Sequence, residues 1–137
     1  METAQFDDSA WPIVRVTTPS YILNDEDYLR YLDQLTAFHE RGERFGFLFD
    51  VRKSPAMPAD QRRLTAERID RDAAHYQRRC PCALVVASAI QRGVIRVVMW
   101  LLRDPHPVAV FSSIEQAEEW LRYECALKSN HPSSGPK

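Results

Sequence analysis

The chain has 137 residues, 18 Lys and Arg against 19 Asp and Glu, and a formal net charge of −1, with 45% hydrophobic and 27% charged residues. That is chain enough for one ordinary globular core. It argues against a disordered polypeptide and gives no reason to expect nucleic acid binding or a polybasic membrane anchor.

Residues 5–7 are expected to add a short edge strand. Residues 12–17 are β-branched and bounded by prolines, so they read as the first full strand. Asn24 or Asp25 can cap the helix that follows, with Asp25, Glu26 and Asp27 set against its dipole. Tyr28, Tyr31, Leu32, Leu35 and Phe38 recur at three and four residues and mark its inner face, and Gly42 ends it. The run 45–51 is apolar almost throughout, as in a central strand covered on both faces.

Residues 52–57 form a loop, and Pro58 suits the first turn of a second helix, 59–79. That helix is heavily charged. Its apolar contribution is thin (Leu64, Ile69, Ala73 and Tyr76), so most of its surface is expected to be solvated. Residues 83–87 are a third strand. Ser88 caps a third helix, 90–102, and 107–111 form a fourth strand. Ser113 then begins a capping-box-like stretch that leads into a last helix with Ile114, Ala117, Trp120 and Leu121 inward. From Lys128 onward the chain reads as a disordered tail. Strand and helix alternate four times, which predicts one α/β domain over 1–127 with a largely parallel sheet of four to five strands and about four helices.

Motifs for chemistry are absent. The start of the chain lacks a basic region followed by an apolar run, and the stretch 97–102 is far too short to span a bilayer. Cys80, Cys82 and Cys125 make no disulfide framework, and Cys80 and Cys82 are one residue apart where zinc sites use two to four. They read as buried or incidental thiols of a cytoplasmic protein. His39, His75, His106 and His131 have no metal-ligand spacing, and Gly42, Gly46, Gly93 and Gly135 compose no phosphate cradle. No catalytic residue, cofactor or metal is therefore expected.

This order of elements resembles the STAS-like fold of bacterial anti-sigma-factor antagonists, and most of all their divergent stand-alone relatives. Two features carry the resemblance, which spans about 10–123. The first is Phe47, Leu48, Phe49, Asp50, Val51 and Arg52, a central strand ending in Asp. The second is an acidic last helix ending in Trp120 and Leu121. The resemblance implies a bacterial regulatory module that docks a protein partner at the loop and start of the second helix. Asp50, Arg52, Lys53, Asp60, Arg62 and Arg63 are the docking candidates. Antagonists of this fold carry a phosphorylated serine where this chain has Met57, Pro58, Ala59, Asp60 and Gln61. With Ser54 and Thr65 both off that position, a serine switch is not expected.

The third helix is the most unusual segment. Arg92, Arg96 and Arg103 share one stripe and nearly everything else is apolar, more than one packed face requires. Arg92, Arg96, Met99, Trp100 and Arg103 are accordingly candidates for an interface, with a second copy or with a partner. The leading expectation is a non-enzymatic interaction module, with no nucleic acid partner and no membrane insertion. The alternative is a small-molecule or lipid carrier, in which the third helix lines an apolar pocket.

Overall fold

A computed structural model describes residues 4–77, 80–102 and 107–130, the last four as backbone. Its elements are β1 (Gln5–Ala10), β2 (Ile13–Thr17), α1 (Asp25–His39), β3 (Gly46–Asp50), α2 (Ala59–Tyr76), β4 (Cys82–Val85), α3 (Ala89–Leu101), β5 (Val108–Phe111) and α4 (Ile114–Asn130). Arg78, Arg79, Arg103, His106 and the segment 131–137 lie outside the described residues.

The helix boundaries follow local chemistry. Asn24 accepts from the Asp27 amide at 2.8 Å, Ser88 from Gln91 at 3.2 Å and Ser113 from Gln116 at 3.2 Å, each occupying an amide that the first turn leaves without a helical partner. α1 gives way to Gly42, whose φ of +74° is the left-handed conformation that glycine adopts without a Cβ clash. α4 continues through Lys128, Ser129 and Asn130, where the tail was expected to begin. No Gly or Pro precedes Pro132 to stop it.

The sheet has five strands in the order β1-β2-β3-β4-β5, with β1 antiparallel to β2 and every other pair parallel. The expected edge strand is thus a full one, and the four parallel strands run in sequence order. Right-handed crossovers between strands laid down in one direction place α1, α2 and α3 on the same face. α4 follows the last strand and takes the other face.

Side-chain alternation along the strands sorts the core accordingly. Ile13, Leu48, Ala83 and Val85 meet Ala117 and Leu121 of α4. This contact is close: a Cβ on Gly46 would lie 2.9 Å from Leu121 Cδ2 and 3.1 Å from the Pro81 carbonyl oxygen. On the opposite face Val14, Val16, Phe45 and Phe47 meet Tyr28, Tyr31 and Leu32 of α1.

The two layers differ in spacing. The backbone of α4 lies against β2, β3, β4 and β5, whereas α1 packs closely on α2 and α2 on α3. Large rings bridge the gap beneath α1: Phe38 stands 6.0 Å from Phe47 and 6.3 Å from Phe45, and Trp11 stacks on Phe45 at 5.4 Å. α3 presents Val94, Ile95 and Val98 to its side of the sheet, and such short side chains do not reach across.

Candidate functional site: an apolar cavity under the third helix

The gap that α3 leaves is a cavity of about 440 Å³ between the sheet and the three helices of that face. Its floor comes from alternate positions of parallel strands in register, Phe47 with Cys82 and Val108, and Phe49 with Leu84. Its roof is α3, through Val94, Ile95, Val98 and Met99, with Leu102 just after it. The β2–α1 segment (Tyr21, Ile22) and the β3–α2 loop (Ser54 to Pro58) rim it at the carboxyl ends of the strands, where open α/β sheets hold their ligands.

The remaining wall is α2, whose inward stripe is polar. Gln61, Thr65, Arg68 and Asp72 follow one another at three and four residues, and each is tied to α1 or the chain entering it. Gln61 Nε2 donates to the Leu23 carbonyl at 2.8 Å. The Tyr28 and Thr65 hydroxyls bond to each other. Arg68 Nη1 donates to Asp33 at 2.9 Å and to Thr36 Oγ1 at 3.1 Å, and the Thr36 hydroxyl donates to Asp72 Oδ2 at 2.7 Å. The thin apolar content of this helix is thereby explained: its inward contacts are largely hydrogen bonds, each with a partner that makes burial tolerable. Burial holds the Tyr28 and Tyr31 phenols above their ordinary range, so the cavity wall stays uncharged there.

α3 has no such zipper to the sheet. Its first turn is held by Gln91, whose side-chain amide donates to the carbonyls of Val51, Arg52 and Ser54 and accepts from the Ala87 amide at 2.7 Å. Its outer side is bare: Trp100 is 87% exposed, with Val97 and Leu101 also exposed, and Ile90, which borders the cavity as well, is 76% exposed.

The residues singled out in the sequence fall into separate places. Asp50 and Arg52 close on each other as a fork, Nε to Oδ1 and Nη2 to Oδ2 both at 2.9 Å, at the end of β3. Hydrogen bonds from Arg52 hold the Asp50 carboxyl below its ordinary 3.8, against the opposing effect of burial. A carboxyl depressed in the folded state stabilises above its unfolded pKa, and that contribution disappears as pH falls through the folded value. Asp50→Asn is therefore expected to flatten the stability–pH curve below about pH 4 in chemical denaturation; an unaltered acid limb would contradict the assignment.

Lys53 is exposed in the loop. Asp60 accepts from the Gln61 amide at 3.0 Å, Arg62 Nη1 donates to the Met57 carbonyl at 2.7 Å, and Arg63 faces solvent. Of the α3 residues, Arg96 and Trp100 are exposed, Arg92 is half-buried, and Met99 is partly exposed while also lining the cavity. His39, by contrast, is a core residue, stacked on Tyr76 at 5.1 Å. Cys80 and Cys82 line the cavity, and burial pushes the Cys80 thiol well up. Among the described residues no cluster of three or more His, Cys, Asp or Glu is placed to hold a metal ion, and no helix is long and apolar enough to cross a membrane.

Sequence reasoning missed Gln61 and Gln91. Nothing in the composition of their helices distinguishes a glutamine that ties down another element from one on a solvated face.

Compared with known families, residues 14–122 match the model described as SpoIIAA-like. The chain belongs to the SpoIIAA-like family. The match runs from β2 into α4 and takes in every residue that lines the cavity, while β1 lies before it. The five-stranded, mostly parallel sheet with four helices agrees with the STAS-like fold expected from the sequence. The SpoIIAA-like family points to a regulatory, STAS-type module, of a kind generally without catalytic activity. No curated protein matches the chain.

Proposed function

We propose that this SpoIIAA-like domain is a non-enzymatic binding module whose cavity takes up a small apolar or amphipathic molecule. One observation carries the reading: a space of about 440 Å³ walled by Phe47, Phe49, Leu84, Val94 and Val98 stands where a packed core would otherwise lie. Interiors are ordinarily close-packed, with few voids larger than a water molecule. Ligand pockets have this size and this lining of apolar walls with few polar groups. The cavity moves the carrier reading ahead of docking at residues 50–63, where Asp50 and Arg52 spend their hydrogen bonds on each other. The two readings join if occupancy is the regulatory signal: α3 rests on the ligand and presents its outer face to a protein partner.

The test is titration with Nile red, a neutral dye that fluoresces in apolar surroundings. Saturable enhancement at one dye per chain, reversed by an excess of lauric acid, is expected. A linear, unsaturable response with no displacement would count against the cavity as a binding site.

A second reading rests on the outer face of α3, where Ile90, Val97, Trp100 and Leu101 are exposed together. Contiguous exposed apolar surface of this kind marks interaction sites, and we assign it to contact with another protein chain. Light scattering at rising concentration is expected to show self-association that Trp100→Glu reduces. A monomer at every concentration would remove the second copy as the occupant and leave a heterologous protein.

A further inference from the structure

The cavity's polar groups divide into those already spent and those left over. Along α2, Gln61, Thr65, Arg68 and Asp72 are bonded to α1 and its approach, and the Arg68 charge is met by Asp33. Residues 50–63, of which Val51, Ser54 to Pro58 and Gln61 line the cavity, carry four cations next to that lining in the chain, Arg52, Lys53, Arg62 and Arg63, against two acids, Asp50 and Asp60. Arg52 is committed to Asp50. In the first turn of α1, Glu26 and Asp27 are engaged by Arg30.

Arg62 is different. It is half-buried, one of its nitrogens is fixed on the carbonyl of Met57, and Met57 itself lines the cavity. Among the described residues no carboxylate pairs with it, and the rest of its guanidinium fork is uncommitted. Lys53 is exposed just before the rim loop and has no carboxylate partner among the described residues. The leftover cationic hydrogen-bonding capacity at the mouth is thus all donor.

Resting on the reading that the cavity holds a ligand, we propose that this ligand is a chain-bearing anion. Its hydrocarbon lies along the slot beneath α3, and its carboxylate or phosphate sits at the rim on Arg62, with Lys53 adding charge. From Phe47 to Val51 the floor rises about 3.3 Å per residue, roughly 13 Å in all, the scale of a medium acyl chain. The opposite orientation would set a charge against Phe47, Cys82 and Val108, where burial would strip its hydration. A pre-positioned guanidinium suits a planar or tetrahedral oxyanion, since its parallel N–H groups bind two oxygens together.

The experiment compares three competitors of equal chain length, laurate, dodecyl phosphate and dodecanol, for displacement of Nile red from the full chain. Both anions are expected to compete about tenfold better than the alcohol, the effect of a charge-assisted hydrogen bond. Arg62→Gln is expected to weaken the anions more than the alcohol, with Arg62→Lys restoring part of the difference. Dodecanol competing as well as laurate against the unaltered chain would overturn the proposal while leaving the cavity a binding site. So would an unchanged anion preference in Arg62→Gln. Failure of the dye and all three competitors to bind would overturn both.

Discussion

Leu84→Trp and Val98→Trp are each expected to abolish saturable Nile red uptake while leaving the chain folded. Leu84 lies on the floor of the cavity and Val98 on the roof, so either indole would occupy the space from one side. Adding bulk to a packed core costs about 1–3 kcal/mol because side chains leave their rotamers. Adding it to an existing void removes that penalty and restores lost dispersion contacts. The midpoint of chemical denaturation should therefore hold or rise as binding disappears. Uptake that survives both substitutions would place the dye elsewhere on the molecule.

Leu121→Ala is expected to destabilise the domain far more than Leu84→Ala, although each removes the same atoms from a helix–sheet face. Leu121 is fully buried against Leu48, Ala83 and Gly46, where α4 sits close to the strands. Truncation there opens a new cavity in a tight layer, at a cost of about 2–5 kcal/mol. Leu84 already borders empty space. Its truncation enlarges a void that exists, and the cost should stay below about 2 kcal/mol, since the lost methyl groups had fewer contacts to lose. Paired urea titrations measure the difference. Equal losses at the two positions would mean that the layer beneath α3 is as well packed as the layer beneath α4.

These two results depend on an asymmetry that was half legible in the sequence. The alternation of elements, the caps at Asn24, Ser88 and Ser113, and the inward register of Ala117 and Leu121 follow from propensity and periodicity, and the structure agrees with them. The surplus apolar surface of α3 is also plain in a run where Arg92 and Arg96 are the only charges between Ala89 and Leu101. An apolar pocket lined by this helix is one reading of that surplus, but the size and walls of the cavity were not legible. The cavity arises because the parallel strands are ordered as they occur in the chain, which puts α1, α2 and α3 on one face. Whether the third of them reaches the sheet depends on the length of Val94 and Val98 relative to Phe38 beneath α1. Periodicity gives the direction in which a side chain points, not the distance to the surface opposite.

The candidate docking residues show the same limit. Arg52, Lys53, Arg62 and Arg63 read alike as a mixed-charge stretch, yet Arg52 is closed on Asp50 and Arg62 is pinned to the Met57 carbonyl beside the cavity. Which charges remain available is decided by how this stretch folds back on itself, which composition does not give. Tertiary neighbours matter for α2, whose inward polar stripe looks solvated until α1 and the chain entering it supply Leu23, Tyr28, Asp33 and Thr36 as partners.

The central claim, that the space beneath α3 is a ligand site, is tested most directly by native mass spectrometry of chain purified without detergent or denaturant and then offered laurate. A one-to-one adduct is predicted, present at isolation or formed on addition, lost on collisional activation, and absent from Val98→Trp. A spectrum showing only the 15.9 kDa chain before and after addition, with Val98→Trp indistinguishable from the unaltered chain, would contradict it.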